Sequence, residues 1–139
     1  MERKKGFTLI ELMVVILIVS ILAGVAIPLM QGRIDSAKWS EANATAGTIR
    51  TAVRAYFAED PTACAALAGN TLDDEDTQNA LGFNTEDLTG TYFGPEDYEI
   101  TSIDADSGLA SITVSAGEGL EGTYVLGTDG SWAKQAASE

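Results

Sequence analysis

From Phe7 to Met30 almost every position is apolar, with Val, Ile and Leu falling on all sides of a helical wheel rather than along one stripe. A helix that is apolar all round is one buried on every side, in lipid or in a packed assembly. No ionisable residue occurs over 12–30, and at about 1.5 Å rise per residue a helix of that length nearly crosses a hydrocarbon core about 30 Å thick. The pattern then becomes one-sided. Ile49, Val53 and Tyr56 recur at helical spacing with Ala52 and Phe57 beside them, while Arg50, Arg54 and Glu59 fall elsewhere, which marks an amphipathic continuation. One helix over about 7–58 is predicted. Pro28 weakens it, because proline has no amide hydrogen and its ring clashes with the carbonyl of Gly24; a break or kink costing about 3 kcal/mol is expected there, with Gly24 and Gly32 on either side.

After Glu59 the helical period ends. Asp60 before Pro61 is an N-cap acid followed by a first-turn proline, and Gly69 follows an Ala-rich turn, so a short helix is predicted over 62–68. The acidic string Thr71-Leu72-Asp73-Asp74-Glu75-Asp76 admits a calcium loop. It fits better as the first turn of a second short helix over 73–81, with acids complementing the helix dipole and Gly82 as its stop. The distal third alternates with turn chemistry between runs, predicting strands near 97–104, 109–116, 122–127 and 131–134. Asp104-Ala105-Asp106-Ser107-Gly108 is a hairpin turn rather than an EF-hand loop, since the required Gly at position 6 is Leu109 and the required Glu at position 12 is Ser115. The expected fold class is α+β: a long helix, kinked near Pro28, whose C-terminal half packs on a three- or four-stranded antiparallel meander, with short helices in the connecting segment.

One charge interrupts the apolar run. Glu11 stands in Gly6-Phe7-Thr8-Leu9-Ile10-Glu11-Leu12, directly behind the basic leader Met1-Glu2-Arg3-Lys4-Lys5. An acid at the edge of a membrane span is costly and is by default a functional residue in search of a partner. Cutting the chain between Gly6 and Phe7 supplies one, because the new α-amine of Phe7 is a cation about one helical turn from Glu11. The string resembles the processing site of type IV prepilins and the related pseudopilins. That resemblance implies a membrane-embedded prepilin peptidase that cleaves after Gly6 and methylates the amine of Phe7. It implies that Glu11 docks each subunit by neutralising a neighbour's N-terminus. It further implies a homo-oligomer in a helical filament, served by an inner-membrane platform protein and a cytoplasmic assembly ATPase, and a segment around Gly24 and Pro28 that can unwind in the fibre. The expected layout is a leader at 1–6, a transmembrane or filament-core helix at 7–30, and a head at 31–139. The precursor would sit in the inner membrane as a single-pass protein with its head outward, and in an extracellular pilus after assembly.

Two alternatives compete on the same residues. A secretory signal peptide would be cut after Ala26, and leaves Glu11 inside its apolar core. A plain signal anchor tolerates Glu11 by snorkelling and does not explain the motif. The mature N-terminus separates them: Phe7, Ile27 or Met1. A type II secretion pseudopilin shares the N-terminal chemistry, and a membrane-anchored binding module is the alternative from another class.

Composition narrows the rest. The chain has 139 residues and a formal net charge of −13, and seven of its eight basic residues lie at or before Arg54, leaving Lys134 as the only one after it. Arg3, Lys4 and Lys5 ahead of the span obey the positive-inside bias. The acidic distal part would repel phosphates, so no direct nucleic-acid binding is expected of it. The absence of His excludes His-based triads, HExxH zinc sites and imidazole bases. No Gly-rich phosphate loop is present and no catalytic or cofactor site is expected. Cys64 is the single cysteine and precludes an intrachain disulfide, although many pilins staple their C-terminal loop with one; its setting among alanines suggests a buried thiol. Asn43-Ala44-Thr45 is a glycosylation sequon of low weight, on a predicted helix.

Overall fold

The structure, a computed structural model, describes residues 6–117 and 119–135. In chain order it contains helix α1 (Leu9–Glu59), the short helices α2 (Pro61–Ala65), α3 (Glu75–Leu81) and α4 (Thr85–Leu88), a 3-10 turn (Pro95–Asp97), and strands β1 (Tyr98–Ile103), β2 (Ala110–Ser115), β3 (Thr123–Leu126) and β4 (Trp132–Lys134). Two compact units result, one ending at Ala37 and one beginning at Lys38, with α1 contributing to both.

In the first unit the chain is helical from Leu9 onward and exposes its apolar side chains on every side, Leu9 at 76% and Leu29 at 74% among them. Helical assignment continues through Pro28. The missing amide hydrogen of that proline still leaves the Gly24 carbonyl without its usual donor. Ser20, the one hydroxyl in the middle of the run, donates to the Ile16 carbonyl at 2.6 Å and so leaves no free polar hydrogen among the apolar side chains.

The second unit has a core. Trp39, Ala42, Ala46, Ile49 and Val53 are the buried residues of α1, and their alternating spacing of three and four draws one stripe along it. The stripe packs with the alternate, inward residues of the sheet: Tyr98, Ile100, Ala110, Ile112, Val114 and Leu126. Tyr56 and Phe57 lie at its margin, partly buried. The sheet has the order β1-β2-β3-β4 and is antiparallel throughout. Register runs Ile112 to Ile100 on one side and Ile112 to Leu126 on the other, broken by a bulge between Ile100 and Ser102. Rings of Trp39, Tyr124 and Trp132 form one end of this core, with centroids 4.3 Å apart for Trp39 and Tyr124 and 5.2 Å for Tyr124 and Trp132.

The connecting segment is held by caps. Asp60 accepts from the amides of Thr62 at 3.0 Å and Ala63 at 2.9 Å, and Pro61 occupies the first turn, so α2 begins one residue earlier than predicted and ends at Ala65, before turns that lead to Gly69. Asp74 is spent as the cap of α3, accepting from the Thr77 amide at 2.9 Å and hydroxyl at 2.7 Å; the helix therefore starts at Glu75 rather than at 73. Gly82 closes α3 in the left-handed region at φ 75. Gln78 is buried, with its amide nitrogen donating to the Leu72 carbonyl at 2.6 Å and its oxygen accepting from the Thr85 hydroxyl at 3.0 Å. Residues 69–72 then run alongside β1: Gly69 donates to the Ile100 carbonyl, Ile100 to that of Asn70, and Leu72 to that of Tyr98. That strip covers the edge of β1, which would otherwise be an open pairing edge.

The β1–β2 turn is built by Asp104, whose Oδ1 accepts from the Ser107 amide at 2.8 Å and hydroxyl at 2.6 Å. Gly108 follows at φ 66, where an added Cβ would fall 2.4 Å from the Phe57 ring, so only glycine closes this hairpin. Cys64 is buried, with Sγ 3.5 Å from the Val53 carbonyl; burial pushes the thiol pKa up, and the charge of Asp60 adds to the effect. Asn43 is half-buried on α1.

Candidate assembly site in the first turn of the apolar helix

Residues 6–8 lie outside α1, so the Gly6–Phe7 peptide bond is exposed and non-helical. The helix starts immediately after Thr8, and its first turn is closed by a reciprocal pair. The Glu11 amide donates to Thr8 Oγ1 at 3.3 Å, while Glu11 Oε2 accepts from the Thr8 amide at 2.8 Å and the Thr8 hydroxyl at 2.7 Å. That is a capping box, with Thr8 as the cap and Glu11 in the third helical position, and it satisfies two of the amides that a helix start leaves without partners.

Chemically the box does two things. It ties one oxygen of the Glu11 carboxylate to the turn that precedes the helix, and it leaves Oε1 without a hydrogen-bond partner among the described residues. The carboxylate is thereby held next to the position that Phe7 occupies. Around it, Phe7, Ile10, Leu12, Val14 and Val15 form an open apolar groove. A carboxylate with one fixed and one free oxygen, set in an apolar surface, can accept a cation from another molecule more readily than it can act on a substrate, because nothing encloses a reacting group there. Gly24 and Pro28, also singled out in the sequence, lie on the same helix in helical conformation and make no polar contact with this turn.

Thr8 is the participant that sequence reasoning missed, although a Thr followed three residues later by Glu ahead of an apolar run is the capping-box signature. The acids of the second unit are occupied differently. Asp74, Asp104 and Asp129 have their pKa values lowered, chiefly by hydrogen bonds from the side chains of Thr77, Ser107 and Ser131. Among the described residues no three acidic or thiol groups converge as the ligands of a metal ion would.

An apolar N-terminal helix whose continuation packs on an antiparallel sheet, with short helices in between, is an α+β, pilin-like arrangement. The chain's residues 1–27 match the model of the prokaryotic N-terminal methylation motif. It is 46% identical over 58 residues to the fimbrial protein EcpC of Eikenella corrodens, covering 42% of this chain and 38% of that one. Similarity to the type IV major fimbrial protein FimA of Dichelobacter nodosus reaches 32% identity over 111 residues, 79% of this chain and 62% of the relative. A fimbrial protein of Pseudomonas aeruginosa is 29% identical over 139 residues, 95% of this chain and 85% of its own length. The chain thus spans between about two fifths and most of the length of these relatives. No solved structure gives a significant match. The methylation-motif match and the similarity to these fimbrial proteins together support a type IV prepilin family member.

Proposed function

We propose that this chain is a structural subunit of a type IV pilus, stored in the inner membrane as a precursor and assembled into an extracellular filament. The observation that carries the proposal is the first turn of α1: a carboxylate held by Thr8, with one free oxygen, on a helix whose apolar surface is exposed all round. Such a surface is far larger than a soluble monomer carries and calls for burial, in lipid first and among neighbouring helices afterwards.

The steps follow from the segments. A prepilin peptidase cuts the exposed bond between Gly6 and Phe7, and the new amine of Phe7 is methylated, which leaves it basic. Glu11 Oε1 accepts that cation from a neighbouring copy, while Oε2 keeps its bonds to Thr8. Apolar helices then bundle into the filament core and the acidic heads face water. The segment near Gly24 and Pro28, helical in the precursor, lengthens in the fibre by unwinding where the proline has already removed a hydrogen bond. None of these roles makes the chain an enzyme. An assembly ATPase and an inner-membrane platform protein supply the work. Electron microscopy of sheared cell-surface material with an antibody to this chain is the test: long labelled fibres whose subunits begin at methylated Phe7 are expected. Membrane-resident protein beginning at Met1, with no labelled fibre, would overturn the proposal.

A further inference from the structure

We draw no further inference here: the strongest candidate, the open cavity of about 520 Å³ where Lys38 of α1 meets the segment around Tyr92 and the residues Ala116 and Gly117 just past β2, has its tyrosine ring already covered by the Lys38 ammonium at 5.0 Å and borders residue 118, which lies outside the described residues, so nothing in the structure shows what would occupy it.

Discussion

The two units solve opposite problems with the same helix. Up to Ala37 the helix carries apolar side chains on every side and buries essentially none of them, whereas from Lys38 onward a narrow stripe of Trp39, Ala42, Ala46, Ile49 and Val53 is fully covered by the sheet and the connecting segment. The second unit is complete in itself and its surface is acidic. The first is complete only when something else surrounds it. The single charge over 6–32, Glu11, is accordingly kept in order by a capping box that asks nothing of the head.

The widest gap between the units should appear on separating them. A chain trimmed to begin at Arg33 is expected to remain soluble without detergent and to unfold in one cooperative thermal transition, while the full chain needs detergent or lipid. A trimmed chain that aggregates, or lacks a transition, would show that the head has no independent core. Within the head, Ile49→Ala removes a side chain at 0% exposure from the middle of the stripe and should cost about 2–5 kcal/mol by denaturant unfolding. A matching change at Ile16, exposed at 64%, should leave that unfolding unchanged. Gln78→Ala is a smaller perturbation: it leaves the Leu72 carbonyl and the Thr85 hydroxyl without their partner and should cost about 1–3 kcal/mol by the same measurement.

Smallest is the response to pH, and it has a sign at each end. Asp74, Asp104 and Asp129 have pKa values lowered in the fold by hydrogen bonds, so their contribution is complete above the unfolded value near 3.9 and is lost as pH falls through the folded values. Tyr98 is pushed up to about 12, first by burial, with Thr45 opposing and Glu41 and Asp97 adding to the rise. Its contribution is complete below the unfolded value near 10 and is lost between there and about 12. Thermal melting of the head should therefore fall below about pH 4 and above about pH 10, with tyrosinate absorbance from Tyr98 appearing only with the alkaline loss.

Local chemistry was readable before the structure, and contacts between distant residues were not. All four strands lie within a residue or two of where alternation and turn residues put them, because Asp104 to Gly108 and Gly127 to Gly130 are turns written in adjacent residues. The sheet-facing stripe was read only in its second half. Ala42 and Ala46 are fully buried because a small side chain lets helix and sheet approach closely, and alanine carries little signal in a hydrophobic pattern. Helix α4 escaped notice because four residues are too few to show a period, and its stability comes from Asp87 reaching back to the Asn84 amide at 2.9 Å. The strip at 69–72 along β1 and the tie from Arg50 to Thr128, 78 residues away, have no local signature at all. That tie also fastens the β3–β4 turn to the helix in a chain whose lone cysteine can form no internal disulfide. At the N-terminus the motif singled out Glu11 and the bond before Phe7 as candidates. It did not disclose that Glu11 already has a partner within its own turn.

Glu11→Val measures most directly whether the apolar helix is an assembly surface with one essential charge. Produced in the cell alongside the parent chain and examined for processing, membrane residence and fibres in sheared material, the variant should still be cut before Phe7 and still reside in the membrane. Its fibres should be absent or sharply reduced. Fibres at the parent's level would contradict the docking role of the carboxylate and leave Glu11 as no more than a helix cap.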